Sequence, residues 1–290
     1  GVDCSDHEVN IKILLNKAID NHKLSFKKRN DLLDSMRNDV VHLVLKDNFL
    51  QVQAISFAQR QGLRLFDEQT YLMRDLENEG LLNRTLEHLP DETELAHRFA
   101  DSRGLTRPEL AVLLAYAKIS LNKHLLESAI PDLPLLKKSL LRYFPKRLHD
   151  TYKAEIEGHP LKREIISTLF SSNVINRMGM TFVHEMKRQA NVSIPDIART
   201  YFIIRELVDL PSIWDQLENL VMLSPSFYSE LTLDIYENVK RFTEWFLRCD
   251  SLPPCISSVL SSLKPDFDLL KEDLSSLFTI EQQKLHKEKY

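Results

Sequence analysis

The first ten residues concentrate side chains that could bind an anion. Ser5-x-x-Glu8 is a capping-box pattern, which predicts a helix from Asp6 to Ile19 with Ser5 as its N-cap. Asp6 would suit the positive end of the helix dipole. A hydroxyl beside the unpaired N–H groups of a helix N-terminus also suits a carboxylate or a phosphate. These residues therefore leave two roles open for Ser5, a helix cap and an anion ligand.

A second set of residues could bind a metal ion. His149-Asp150 is a His-Asp pair in a helical chain, as in helical metal-dependent phosphohydrolases. Such a site also needs an upstream histidine, for which His97 or His124 could serve, and a downstream acid such as Asp196. A two-residue pattern is common by chance, and Asp150 is equally suited to begin a helix. The phosphohydrolase is therefore kept as a third hypothesis.

Other metal patterns are incomplete. His184-Glu185 lacks the second histidine of a zinc-protease helix, because Arg188 stands near its place. The three cysteines form no C-x-x-C pair. They predict neither a disulfide framework nor a zinc site, and they favour a reducing, cytoplasmic compartment.

Glycine is scarce in this chain. Six glycines in 290 residues are about 2 %, against roughly 7 % in average proteins. Because tight hairpins and phosphate-binding loops use the positive φ that glycine supplies, this composition disfavours strand-rich folds. No G-x-G-x-x-G or Walker loop occurs, so no dinucleotide site is expected here.

Charge and hydropathy exclude two further classes of partner. The net charge is −4, with basic residues scattered among acids, which gives no electrostatic case for nucleic acid or an anionic membrane. The apolar run from Leu110 to Ala117 is too short to span a bilayer. We therefore expect neither a nucleic-acid nor a membrane partner.

Helical patterns dominate the chain. Thr106-x-x-Glu109 is a capping box, and Ser224-Pro225 is suited to start a long helix. The apolar residues of that long helix recur at helical spacing on one face: Tyr228, Leu231, Ile235, Val239, Phe242 and Phe246. We predict an all-α fold of roughly a dozen helices, a bundle or helical array with no substantial sheet.

One predicted helix is polar without being charged. Residues 165–176 contain serines, a threonine and asparagines but no charged side chain. This pattern favours an internal helix whose polar groups are bonded to other protein, and the alternative is a docking surface for a missing catalytic domain. Trp214 and Trp245 lie among apolar neighbours and are predicted to be core residues.

Three sequence blocks resemble one enzyme family. Gly1-Val-Asp-Cys-Ser-Asp-His-Glu8 resembles the closing motif of the large-subunit bacterial NAD-specific glutamate dehydrogenases. Two further blocks are similar to the C-terminal region of that family: Gly104-Leu-Thr-Arg-Pro-Glu-Leu-Ala-Val-Leu-Leu-Ala-Tyr-Ala-Lys118 and Arg163-Glu-Ile-Ile-Ser-Thr-Leu-Phe-Ser-Ser-Asn-Val-Ile-Asn-Arg-Met-Gly179. The blocks span most of the chain in order. Since the chain also starts at Gly1 in a patterned segment, we expect it to be a piece of a longer polypeptide.

The resemblance implies chemistry for the parent enzyme. Such an enzyme oxidises glutamate to 2-oxoglutarate and ammonia with NAD, and the serine at the position of Ser5 helps bind the side-chain carboxylate of glutamate. The family's catalytic lysines, acidic residue and dinucleotide-binding unit precede this motif. The resemblance therefore implies that this chain contains no catalytic residue, cofactor site or metal site, and that it is inactive alone.

The resemblance also implies how the chain divides into domains and which partners it contacts. Residues 1–65 would be the helical tail of the catalytic domain, and residues 66–290 a C-terminal helical domain. The expected partners are the catalytic domain of the same polypeptide and other subunits of a homo-oligomer. The alternative is a free-standing helical scaffold that binds partner proteins, with its opening motif a coincidence.

Overall fold

A computed structural model of the chain describes residues 2–220, 225–249 and 256–277. Within these ranges the chain forms fourteen α-helices and no β-strand, which confirms the all-α prediction. None of the described helices is both long and apolar enough to cross a membrane. The helices are α1 (Val2–Asp20), α2 (Phe26–Ser35), α3 (Arg37–Gln61), α4 (Phe66–Asn78), α5 (Glu92–Ala100), α6 (Arg107–Leu126), α7 (Lys137–Tyr143), α8 (Lys153–Glu157), α9 (Lys162–Met178), α10 (Phe182–Ala190), α11 (Ile194–Leu207), α12 (Leu210–Leu220), α13 (Pro225–Leu247) and α14 (Ile256–Leu277).

The chain divides into two compact units, residues 1–185 and 186–290. In the first unit α6 packs against α3, α4 and α9, and α9 also packs against α3 and α7. In the second unit α11 packs against α12, α13 and α14. The boundary expected between residues 65 and 66 lies inside the first unit, next to a 3-10 segment at Gly62–Leu65. As a statement about where the catalytic domain ends, that boundary stays a prediction.

The start of α6 is fixed by the capping box that the sequence predicts. The Glu109 carboxylate accepts the backbone N–H of Thr106 at 2.6 Å. It also accepts two hydrogen bonds from the Arg98 guanidinium, at 3.0 and 2.8 Å. Burial raises the pKa of Glu109, but the bonds from Arg98 and Thr106 outweigh it and leave the pKa below its usual value. Glu109 therefore joins α5 to the first turn of α6 as a carboxylate.

The uncharged helix is internal to the first unit. It forms the middle of α9, where Ser167, Ser171 and Asn176 are buried along with their apolar neighbours. The Ser171 hydroxyl donates to the Thr168 carbonyl at 3.1 Å. Packing of α9 against three helices confirms that the helix is internal. The predicted bonds to other protein are not observed at two of its buried polar groups, because Ser167 Oγ and Asn176 Oδ1 have no hydrogen-bond partner among the described residues.

The buried face of α13 is rotated from the predicted one. Tyr228, Val239 and Phe246 are buried as expected, but Phe242 is 38 % exposed. Thr243 is fully buried, since its hydroxyl donates to the Val239 carbonyl one turn earlier and needs no water.

Of the two tryptophans predicted to be core residues, only one is buried. Trp214 is buried, whereas the prediction for Trp245 was wrong, since it is 56 % exposed and packs edge-on against Phe246 of its own helix. The helix starts at Pro225, and its predicted cap Ser224 lies outside the described residues.

Replacing Glu109 tests the link between α5 and α6. We expect Glu109→Ala to lower the free energy of unfolding by about 2 kcal/mol, because it removes charge-assisted bonds at a shielded position. Glu94→Ala is the matched control, since Glu94 makes an exposed i,i+4 pair with the same Arg98, and we expect a loss of about 0.5 kcal/mol or less. Urea unfolding measures both losses, and equal losses would contradict the assignment.

Candidate functional site

Ser5 lies in the first turn of α1 and is exposed. The helix begins at Val2, so the prediction that Ser5 is the N-cap was wrong. Glu8, the expected partner in the capping box, instead forms an ion pair with Lys12 one turn further on. The role of Ser5 as a ligand for the glutamate carboxylate stays a prediction.

The residues next to Ser5 bind the rest of the first unit through a partly buried hydrogen-bond cluster. The Tyr143 hydroxyl donates to Asp6 Oδ2 at 2.6 Å. Asn10 Nδ2 donates to that hydroxyl at 2.8 Å and to Asp6 Oδ1 at 3.1 Å. Tyr143 and Asn10 are 5 % and 4 % exposed, so water does not compete for the bond between them, whereas Asp6 is exposed and its two bonds are partly shielded. We call Asp6, Asn10 and Tyr143 the Tyr143 cluster.

The His159 side chain also binds α1, at the backbone carbonyl of Asn10. Its Nδ1 accepts the Leu161 N–H at 3.1 Å, so the ring proton is on Nε2, which donates to the Asn10 carbonyl at 3.1 Å. Burial lowers the pKa of His159, although the bond to Asn10 raises it. The neutral imidazole is therefore the stable form in the folded chain.

Aromatic rings pack against the Tyr143 cluster. The rings of His7 and Tyr143 are stacked, with centroids 4.3 Å apart. The Tyr143 ring meets Phe144 edge-on at 5.0 Å, and the Phe144 ring lies 5.7 Å from His159. These contacts exclude water from the hydroxyl of Tyr143 and hold its ring in one orientation.

The second half of α1 is tied to the segment around α8 by lysines. Lys17 Nζ donates to the Gly158 carbonyl at 2.8 Å, and Lys23 Nζ lies 2.6 Å from the Glu155 carboxylate. Glu155 is 3 % exposed, and burial raises its pKa, but the bonds and charge of Lys23 together with bonds from the Glu155 backbone and Asn21 outweigh burial and leave the pKa lowered. Polar contacts to residues 143–159 therefore run along α1 from its first turn to the loop after its end.

A group that could hold a metal ion lies elsewhere in the first unit. Asp75, Glu79 and His184 each offer a ligand atom within 4.8 Å of the others. His184 Nδ1 donates to Asp75 Oδ2 at 2.6 Å, and Glu79 accepts the Ser120 hydroxyl at 2.7 Å. Two ligands of one tetrahedral zinc ion would be roughly 3.3 Å apart. The shorter distance is that of a hydrogen bond, so these residues form a polar core cluster.

The residues of the phosphohydrolase hypothesis are used structurally. His149 Nε2 donates to the backbone carbonyl of Phe144 at 2.8 Å. Asp196 lies in the second unit, where it accepts the Ser193 hydroxyl at the start of α11. Among the described residues, the only group that could hold a metal ion contains neither His149 nor Asp150.

Two family models match the chain. The model described as "Glutamate dehydrogenase, C-terminal" matches residues 102–290, and "Bacterial NAD-glutamate dehydrogenase, catalytic domain" matches residues 1–58. The chain belongs to the glutamate dehydrogenase family. The resemblance carried by the three sequence blocks is thereby confirmed.

Curated relatives named NAD-specific glutamate dehydrogenase agree with the family. The chain is 43 % identical over 250 residues to that of Pseudomonas aeruginosa and 40 % over 252 residues to that of Halomonas elongata. It is 33 % identical over 261 residues to that of Mycobacterium tuberculosis. The matches cover 86 %, 86 % and 90 % of this chain but only 15 %, 15 % and 16 % of the relatives. The chain thus spans about one sixth of the length of these dehydrogenases.

The contacts of α1 join two parts of the chain that match different family models. Asp6 and Asn10 lie in the part that matches the catalytic domain, whereas Tyr143 and His159 lie in the part that matches the C-terminal region. No motif in the sequence singled out Asn10, Tyr143 or His159. A polar Asn10 on the buried side of an amphipathic helix was the available signal, because such a residue needs a partner.

The lowered pKa of His159 makes the free energy of unfolding depend on pH. Its folded pKa is lowered, so the unfolded chain binds more protons as the pH falls through about 6.5, and the folded state is destabilised below that value. His159→Gln keeps an N–H donor but does not titrate. We expect the stability advantage of the native chain over His159→Gln to shrink between about pH 7.5 and 5.5 in urea unfolding. The exposed His97→Gln is the control, and a pH-independent difference for His159→Gln would contradict the assignment.

Proposed function

We propose that this chain is the portion of an NAD-specific glutamate dehydrogenase that fixes the end of the catalytic domain to the C-terminal helical region. The parent enzyme would oxidise glutamate to 2-oxoglutarate and ammonia with NAD. The observation that carries this proposal is the set of contacts from α1 to Tyr143, Glu155, Gly158 and His159, which joins the two family-matched parts. In this function the chain has a structural role and leaves the hydride transfer to residues elsewhere in the polypeptide.

A second surface of the same helices supports contact with the rest of the catalytic domain. Large apolar side chains are exposed on α1, α2 and α3, all within the part that matches the catalytic domain: Val9 (53 %), Phe26 (65 %), Val41 (42 %), Leu45 (58 %) and Val52 (49 %). Helical spacing places Val41, Leu45 and Val52 on one face of α3. We call these five residues the apolar surface.

A groove of about 490 Å³ lies between α1, α2 and α3 and includes Val41 in its lining. It also contains the charged side chains of Lys12, Asp34 and Arg37. An exposed apolar area with a polar rim is typical of a protein–protein contact. The occupant we assign is the rest of the catalytic domain, because residues 1–58 match the catalytic-domain model of the family and the chain covers only 15 % of the Pseudomonas aeruginosa relative.

The isolated chain is expected to be inactive. It contains no glycine-rich dinucleotide loop, and the family residues that act on glutamate precede its opening motif. We expect no glutamate-dependent reduction of NAD, and no heat change when NAD is titrated into the chain in a calorimeter. Binding of NAD with a micromolar Kd would contradict the proposal.

Leu45→Glu tests the apolar surface in two contexts. In the isolated chain Leu45 is exposed, so we expect a change in unfolding free energy of about 0.5 kcal/mol or less. In the full-length polypeptide the same change would bury a charge, and we expect a loss of about 2 kcal/mol or more and a lower Tm by calorimetry.

Leu86→Glu is the matched control for this test. Leu86 is 75 % exposed and lies outside the apolar surface, so we expect small effects in both contexts. A free-standing scaffold, the alternative function, would show no difference between the isolated chain and the full-length polypeptide for Leu45→Glu.

A further inference from the structure

We infer that Tyr143 and Asn10 are positioning residues for Ser5, and that through the first turn of α1 they set the affinity of the parent enzyme for glutamate. The inference rests on the proposed function, and it adds residues of the C-terminal region to the determinants of substrate binding. Neither residue is required to touch the substrate. Their effect would be transmitted through Asp6, the neighbour of Ser5.

The first turn of a helix needs external support. Its N–H groups have no intrahelical partner, so helix ends fray unless side chains or other elements hold them. Asp6 is the fifth residue of α1 and directly follows this turn, and its two carboxylate oxygens accept bonds from Tyr143 and Asn10. A bond from a hydroxyl to a carboxylate is charge-assisted and stronger than a neutral one. The Tyr143 cluster therefore holds the backbone directly beside Ser5.

The cluster is a closed cycle of three hydrogen bonds. Tyr143 donates to Asp6, Asn10 donates to Tyr143, and Asn10 also donates to Asp6. Burial raises the pKa of Tyr143 well above its usual value, and the carboxylate of Asp6 raises it further. The hydroxyl therefore keeps its proton and always acts as the donor to Asp6.

The affinity that the Ser5 hydroxyl contributes depends on how accurately the hydroxyl is positioned. A hydroxyl that helps to bind a carboxylate must meet it within hydrogen-bonding distance, and a small displacement of the helix end weakens that bond. Ser5 is exposed, and the bonds to Asp6 hold the backbone beside it without the Tyr143 cluster covering the Ser5 residue. Loss of the cluster should thus weaken glutamate binding without removing a reacting group.

A double-mutant cycle in the full-length polypeptide tests this inference. We expect Ser5→Ala and Tyr143→Phe each to raise the KM for glutamate by about threefold to tenfold, with kcat changed by less than about twofold. If Tyr143 acts through Ser5, the double variant should have the KM of Ser5→Ala alone. The KM for NAD should be unchanged throughout.

Tyr152→Phe is the matched control. Tyr152 is a buried tyrosine of the same unit, and its hydroxyl has no hydrogen bond to any residue that the structure describes. Its KM for glutamate should equal that of the native enzyme. If Tyr143→Phe does not fold, Asn10→Leu removes two of the three bonds while keeping the number and branching of side-chain heavy atoms, and it should show the same dependence on Ser5.

The outcomes separate the inference from the proposed function. Independent, multiplicative effects of Ser5→Ala and Tyr143→Phe on KM would overturn the inference, as would a lower Tm for Tyr143→Phe with an unchanged KM. An unchanged KM in Ser5→Ala overturns the substrate role of Ser5 and the inference with it. A native full-length polypeptide that does not reduce NAD with glutamate overturns the proposed function itself.

Discussion

The hydroxyl of Tyr143 is the point on which the arrangement of α1 depends. It accepts a bond from the buried Asn10 and donates one to Asp6, which lies at the surface. Buried polar groups must find partners, and here the partners are more than 130 residues apart in sequence. An amphipathic helix can rotate or slide on an apolar surface at modest cost. A buried hydrogen-bond cluster permits one register only, because any shift leaves a polar group unpaired.

That register has a consequence for the two faces of the N-terminal helices. The buried side of α1 combines the polar His7 and Asn10 with the apolar Ile11, Leu14 and Leu15, while the apolar surface on α1, α2 and α3 is exposed. An exposed apolar area of this kind is typical of a protein–protein contact. Under the proposed function that area would also be buried, once the rest of the catalytic domain is present.

Local structure in this chain was predictable from the sequence because helix signals are local. The capping box at Thr106 and the positive φ of Gly62 and Gly80 at helix C-termini follow from neighbouring residues. The family could be predicted as well, since its three blocks occur in order.

The remaining features depend on residues that are distant in sequence. Asn10 and His159 are 149 residues apart, and no local pattern pairs them. The rotation of the buried face of α13 follows from Thr243 satisfying its own hydroxyl, which hydrophobic spacing does not reveal. Trp245 was misjudged for a related reason, because apolar neighbours in sequence are not neighbours in space. A capping box at Ser5 was a valid local pattern that long-range contacts of α1 overrode.

The separation between Asn10 and His159 also sets an order of events during synthesis. Domains fold from the N-terminus as the chain emerges, at about 5 to 20 residues per second. His159, the partner of the Asn10 carbonyl, is synthesised 149 residues later, so α1 emerges roughly 7 to 30 seconds before the residue that binds its backbone. Under the role inferred for Ser5, its part of the substrate site would then be completed only after residues 143–159 have been synthesised. A polypeptide truncated before those residues would lack that part even with every upstream residue in place.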